Sequence, residues 1–518
     1  MKELPGSRCG LVAPFDGARS VRFLASELFR RVAAMMAYLK CAPSLFLAAM
    51  LGLAAAGSRW FAQAPSSSPS ASRPDILFVQ APVIQAGGLS ARFPEGSRIV
   101  RLAKGSESPV ELTPQFFAAA DPQVSFDGAR VLFAGKKDSA ATWQIWEMNA
   151  DGSAPRQITR CTGDCVRPAY LPRDEIVFTA SVQETSGVVS QLYVSRLDGS
   201  EPHPITFGPG DYQVETVLRN GLILASARSP LTPRRQTETS RDLYTVRPDG
   251  SGLASFRCDH RQVAIRSQAE ELEDGSVVFV KSHNPGHEIG GELAAIRRGA
   301  LHNSLMSPWR VLAWSPRQLA TDKLVVARRV VTSKDPKGKL DLYAFDAARG
   351  RFDGLIYRDP KLSSLAAVPV AAHPAPRWYW TTLNPALKVG YFICLDSTLS
   401  AEAPKGRLSA SLSKVRVLAL DPSTQQERSL GEAPIEKDGS FYVAVPPDHP
   451  VRFEVLDASG RVVRAQRSWI WARSGEEHGC VGCHEDRSVA PENRWPLTLR
   501  RFDTPTRLGV EGGPQLAH

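Results

Sequence analysis

"SFDGARVLFAGKKDSAATWQIWEMNADGSAPRQIT", residues Ser125 to Thr159, carries a pattern that recurs along much of this chain. It opens on a polar turn and runs into a β-branched and aromatic segment. It then crosses a variable loop and returns through "QIWEMN" to an Asp-Gly-Ser turn. Two further copies follow: "LPRDEIVFTASVQETSGVVSQLYVSRLDGSEPHPIT" (Leu171 to Thr206) and "LRNGLILASARSPLTPRRQTETSRDLYTVRPDGSG" (Leu218 to Gly252). The pairs Asp151-Gly152, Asp198-Gly199 and Asp249-Gly250 are hairpin signals, because a tight turn that needs positive φ selects these residues. The turns stand 47 and 51 residues apart. Short strands repeating at about 40 to 50 residues are what a β-propeller requires, since each unit buries its faces only against its neighbours.

Weaker copies extend the pattern on both sides. "LEDGSVVFVKSH" is followed by "GGELAAIRRG", "LATDKLVVARRVV" by "KLDLYAFDAARGRF", and "PDILFVQAPV" leads to "SRIVRLAKGS". Together they predict a six-bladed propeller over residues 74–385. After Ala386 the rhythm changes. "VRVLALD" (Val415 to Asp421), "GSFYVAVP" (Gly439 to Pro446) and "VRFEVLDASGRVVRAQ" (Val451 to Gln466) alternate apolar and polar residues over short runs. They predict a small antiparallel, immunoglobulin-like β-sandwich over 386–468. The fold class is therefore all-β, with a short C-terminal segment, 469–518, that shows little strand pattern.

The chain has 518 residues, enough for about three domains. Its formal net charge of +10 is spread without a block of like charges, so it reads as a solvated surface and not as a nucleic-acid footprint. Residues 1–64 read as a leader. Lys40 precedes an apolar run from Ala42 to Ala56, and "AQA" (Ala62 to Ala64) follows, which is the layout of a secretory signal. The run is shorter than the roughly 20 residues needed to span a bilayer, so membrane contact is expected only through an uncleaved signal. A Ser/Pro/Ala linker, 65–73, then leads to the propeller. These features predict a periplasmic or otherwise exported protein. In that setting "CTGDC" reads as a local disulfide, Cys161 to Cys165, pinning a loop.

One chemical motif stands out: Cys480-Val481-Gly482-Cys483-His484. C-x-x-C-H is the attachment signature of c-type haem: the two thiols reach the two vinyl groups and the next histidine points under the ring as proximal ligand. Trp469, Trp471 and Trp495 flank it, as rings around a flat apolar cofactor or as anchors that tie a tail to a domain. Gly479 and Gly482 would let the backbone approach a macrocycle. Zinc is the alternative cofactor, with His478, His484 and the thiols needing a distant fourth ligand, and a simple disulfide is the third reading. No methionine follows Met306, so a distal iron ligand would come from elsewhere, with His283 and His287 of "HNPGHEIGG" as candidates. The sequence shows no P-loop, no H-E-x-x-H and no G-x-S-x-G.

The repeat rhythm resembles TolB-like propeller repeats. The whole arrangement, tightest from about Val415 to Pro496, resembles the family carrying the middle domain of the hydrazine synthase alpha subunit. That resemblance implies an exported multidomain haem protein with a redox partner or complex subunit. For an enzyme, it implies a hydrazine synthase-like oxidoreductase. Three departures separate this chain from that subunit. It has a single C-x-x-C-H, and no counterpart of the subunit's further haem domain follows His484. The resemblance also places a tyrosine on the iron just after the motif, but here Glu485, Asp486, Arg487 and Ser488 follow, and no tyrosine occurs after Tyr442. The expectation is therefore one covalent haem c with ordinary His484 ligation, serving electron transfer or the chemistry of small nitrogen or oxygen species. The rival expectation is a non-enzymatic binding scaffold with a zinc or structural C-x-x-C-H.

Overall fold

The computed structural model describes residues 73–510 apart from segments 83–92, 185–186, 229–239, 257–263, 283–289, 298–299, 301–303, 308–310, 331–337, 401–402, 404–405, 422–423, 425 and 483–491. Among the described residues the regular structure is almost wholly strand. β1 (Ile76–Ala81), β2 (Arg98–Leu102) and β3 (Val110–Glu111) begin the first sheet. β4 (Ala118–Val124), β5 (Arg130–Lys136), β6 (Gln144–Asn149) and β7 (Arg156–Gln157) form the next. β8 (Cys165–Leu171), β9 (Glu175–Glu184), β10 (Gly187–Arg196) and β11 (His203–Pro204) form the one after. Then come β12 (Tyr212–Val217), β13 (Ile223–Arg228), β14 (Arg241–Val246) and β15 (Ala254–Ser255). They are joined to β16 (Ile265–Glu271), β17 (Ser276–Ser282), β18 (Glu292–Arg297) and β19 (Ser304–Leu305) by a single parallel pairing of Arg241 with Ile265. β20 (Leu312–Ala320), β21 (Lys323–Val330), β22 (Lys339–Asp346) and β23 (Arg351–Tyr357) complete the series.

β24 (Ser363–Pro369) closes the ring by pairing antiparallel with β1, so the first sheet is built from both ends of the repeat region. The innermost strands β24, β4, β8, β12, β16 and β20 each touch the next, and β20 returns to β24. This is a propeller, and its first and last strands hold each other.

The recurring sequence signals have physical counterparts. In each Asp-Gly-Ser turn the Asp carboxylate accepts the Ser amide and hydroxyl two residues on, at 2.8 and 2.6 Å for Asp151 and 2.8 and 2.7 Å for Asp198. These bonds hold Asp151, Asp198 and Asp274 below the usual carboxylate pKa, the Ser hydroxyl contributing most. The glycine is required twice over at Gly199: its φ is +87°, and a Cβ there would meet Ile158 O at 2.1 Å. In four of the units the closing residue is a hydroxyl that finishes a two-residue outer strand. Thr113, Thr159, Thr206 and Ser307 accept the amides of Ile99, Ile145, Leu192 and Leu293, at 2.8 to 3.0 Å. The aromatic of the strand next to the innermost one, Phe78, Phe133, Phe178 or Phe279, is fully buried between neighbouring sheets. Each such ring adds about 2–3 kcal/mol of hydrophobic stabilisation.

The second module is a two-sheet sandwich. One sheet runs β27 (Glu427–Pro434), β26 (Leu412–Leu420), β29 (Val451–Asp457) and β30 (Val462–Ala465). The other runs β31 (Glu477–Cys480), β25 (Gly390–Cys394), β28 (Phe441–Val445) and β32 (Thr506–Arg507). Val415, Val417, Val451 and Phe453 from the first face Phe392, Phe441 and Val443 from the second, which is the alternation the sequence shows. The sandwich is not antiparallel throughout: β25 pairs with β31, and β28 with β32, in parallel. The reason is connectivity. The C-terminal stretch adds one short strand to each edge of the same sheet. A 3-10 turn at Leu497–Arg500 lies between them.

Candidate functional site

Cys480 ends β31, an edge strand among the described residues. Its neighbour is β25, whose Cys394 lies directly across in register. Cys480 is half-buried and packs against the sandwich core beside Phe392 and Cys394. His478, two residues earlier, shares its face of the strand and tilts its ring against Phe392 at 5.3 Å. Beyond Cys480 the chain keeps its grip on the neighbouring segment, as Leu395 N donates to Cys480 O (2.9 Å) and Asp396 N to Val481 O (3.0 Å). Cys483 and His484 lie outside the described residues, as do His283, His287, Cys258, the leader and the start of the linker.

The two glycines of the motif have different surroundings. Gly479 is exposed and a Cβ there would meet nothing within 4 Å, so this edge of the strand is open to a flat group. At Gly482 a Cβ would come within 2.7 Å of Leu399 Cβ and 2.9 Å of Leu399 O. Its glycine is thus demanded by the chain's own 396–399 turn and not by a macrocycle.

That turn is clamped to another Asp-Gly-Ser turn, Asp438-Gly439-Ser440. Ser397 donates to Gly439 O through both its amide and its hydroxyl, each at 2.8 Å. The same turn receives the chain after the motif. Leu497 N donates to Asp438 Oδ2 (2.8 Å), Thr498 N to Ser440 Oγ (3.0 Å), and Arg494 to Asp438 O (2.9 Å). Burial pushes the Asp438 carboxyl pKa up, but the bonds from Ser440 and Leu497 and the Arg494 charge outweigh it and hold it low. The described residues on either side of 483–491 are therefore held, directly or through the 396–399 turn, by one buried turn. In the sequence this Asp-Gly-Ser is a turn that separates two short alternating runs. Its second duty, as the docking point of the C-terminal segment, lies 59 residues along the chain from Leu497.

The tryptophans divide by role. Trp471 is buried against the propeller: its Nε1 donates to Gly250 O at 3.0 Å, and its ring meets Phe207 and Tyr212 edge-on at 5.8 and 5.7 Å. It is a bolt between modules. Glu476, missed by sequence reasoning, works beside it, accepting Gly252 N at 2.7 Å and Arg473 N at 2.8 Å. Glu476 also lies 3.7 Å from His478 Nδ1. Trp469 stacks near Arg452, and Trp495 is exposed. The strand bearing Cys480 is thus indexed to the Asp249-Gly250-Ser251 turn of the propeller.

Cys161 and Cys165 are disulfide-bonded in the loop that enters β8, with Cα atoms 6.5 Å apart. Among the described residues no three His, Cys, Asp or Glu side chains gather as a metal-ligand set. A zinc site at the motif would draw on Cys483 and His484, outside those residues.

Residues 396–485, which include all of Cys480 to His484, match the model of the hydrazine synthase alpha subunit middle domain. Hydrazine synthase subunit alpha of Kuenenia stuttgartiensis is 24% identical over 542 residues, spanning 79% of this chain. The chain spans 65% of the length of that curated relative. The solved structure of Kuenenia stuttgartiensis hydrazine synthase matches with a TM-score of 0.72 at 23% identity, over 83% of this chain and 71% of that one, which shows a shared fold. TolB from Acinetobacter baumannii is a more distant neighbour, with a TM-score of 0.43 and 14% identity over 57% of this chain and 66% of its own.

Proposed function

We propose that this chain, which belongs to the family of proteins carrying the hydrazine synthase alpha subunit middle domain, is an exported c-type haem protein. Its role is redox work, electron transfer or the chemistry of small nitrogen or oxygen species, as one subunit of a complex on a propeller scaffold. One observation carries the reading. The C-x-x-C-H lies inside the matched domain, and its first cysteine ends an edge strand among the described residues.

The residues present fit a haem: Cys480 is half-buried at a sheet edge, and the backbone beside it at Gly479 is open. Cys480 and Cys483 would hold the group, with His484 as proximal ligand, and bound haem would supply a one-electron iron centre. The chain's own residues hold what flanks the motif. Asp438 and Ser440 fix Leu497 and Thr498, and Trp471 and Glu476 fix the near strand against the propeller. The Cys161–Cys165 disulfide agrees with an oxidising compartment.

The test is expression in the periplasm of a host with cytochrome c maturation, beside a Cys480→Ala/Cys483→Ala variant. The expected result is a haem-staining band on a denaturing gel and a reduced-minus-oxidised spectrum, both lost in the variant. A wild-type protein without the band, holding zinc by elemental analysis or no metal, overturns the reading and leaves a binding scaffold.

A further inference from the structure

Among the described residues, Cys394 is the cysteine that belongs neither to the Cys161–Cys165 disulfide nor to the C-x-x-C-H. It ends β25, where Cys480 of β31 is its partner in a parallel pairing, just as Phe392 is the partner of His478. Both cysteine side chains enter the same apolar core, beside Phe392, Phe441 and Val443. The register carries past the pair, since Leu395 N donates to Cys480 O at 2.9 Å and Asp396 N to Val481 O at 3.0 Å. Neighbouring strands lie about 4.8 Å apart. A disulfide needs Cα atoms roughly 4.4 to 6.8 Å apart, so this pair has the spacing of a bridge without a change of backbone.

The two thiols differ in access. Cys394 is 2% exposed, whereas Cys480 is half-buried at the end of an edge strand among the described residues. An oxidant can reach Cys480 and not Cys394. Disulfide exchange requires this arrangement, one accessible thiol that reacts first and a second thiol beside it that resolves the mixed disulfide.

We propose that in the haem-free chain Cys480 forms a disulfide with Cys394, and that this bond closes the motif to haem. The Cys480 thiolate attacks a disulfide of the oxidising compartment, protein-borne or of low molecular weight, and expels one of its thiolates. The Cys394 thiolate then attacks Cys480 Sγ and expels the other. The pair loses two electrons and two protons, and the oxidant is reduced from disulfide to thiols. With its sulfur in this bond Cys480 cannot add to a vinyl group, so a thiol reductant must first open it by the reverse exchange. The bond itself is independent of the haem reading, whereas its effect on haem loading rests on that reading.

The test uses the full chain made in the periplasm of a host without cytochrome c maturation. Its thiols are capped with N-ethylmaleimide, and it is digested with trypsin without reduction. Mass spectrometry should find residues 389–405 joined to 474–487 through Cys394 and Cys480, and the joined peptide should be lost after dithiothreitol. Cys480 capped, or joined to any other cysteine, overturns the proposal. In a host with maturation, Cys394→Ala should raise the fraction of chains that hold haem above the wild-type value. Cys394→Val takes its place if the alanine variant loses the wild-type circular dichroism. Equal or lower loading overturns the blocking role. Absence of haem from wild type and variant alike would overturn the haem reading alone, and the digest still decides the bond.

Discussion

Asp438 shows how one carboxylate can organise a site it does not enter. It closes its own turn on Ser440 and accepts Leu497 N, which brings the chain back after the C-x-x-C-H. Its folded pKa lies below the ordinary value, so its contribution is fully present above about pH 4 and is lost as pH falls through the folded value. Asp438→Asn should cost about 1–3 kcal/mol, the range for hydrogen bonds to a charged group. The loss should concentrate in the C-terminal segment. Limited proteolysis checks this: cleavage between the motif and Leu497 should speed up in the variant at neutral pH, and in the wild type only as pH drops below about 4. Cleavage spread evenly over the chain would mean that Asp438 does not govern this segment.

At the scale of the strand, four of the propeller units end on a hydroxyl and not on a full ladder. Thr206 Oγ1 accepts Leu192 N at 2.9 Å and donates to Gln191 Oε1 at 2.6 Å, both buried. Thr206→Val keeps the volume but strands a buried amide, so a loss of about 1–3 kcal/mol is expected, read as a lower urea midpoint at unchanged slope. A neutral result would show that water replaces the hydroxyl. The "IT" that closes two of the repeats was visible in the sequence, but its purpose was not. Period and turn chemistry mark where an outer strand stops, whereas the bond that compensates for its shortness links residues 14 apart across a hairpin.

At the scale of the molecule, the sandwich and the propeller are bolted together by Trp471, Arg473 and Glu476. Trp471→Ala should cost about 3–5 kcal/mol, because it leaves a large cavity against Phe207 and Tyr212 and removes the bond to Gly250 O. Calorimetry should then resolve two unfolding transitions where the wild type gives one, since the modules would lose their main shared contact. A single transition shifted as a whole would mean that the remaining contacts suffice to couple them. The same substitution should leave haem attachment at Cys480 and Cys483 intact if the sandwich alone shapes that loop, and reduce it if the propeller contact does.

The sequence by itself determined the all-β class, the repeat rhythm, the Asp-Gly-Ser turns and the C-x-x-C-H. These depend on residues adjacent in the chain, where φ preferences, side-chain alternation and thiol spacing act directly. Only the tertiary structure decided that β24 closes the ring on β1 and that β31 and β32 pair in parallel. It alone turned Trp471 from a flanking aromatic into a bolt on Gly250, 221 residues away, and assigned Gly482 to the 396–399 turn. The positive-φ bulges of the innermost strands were equally hidden, since Arg167 and Ser315 carry no local signal for a left-handed backbone. Contacts of this kind pair residues that the chain brings together only after each module has packed, so no window of sequence contains both partners.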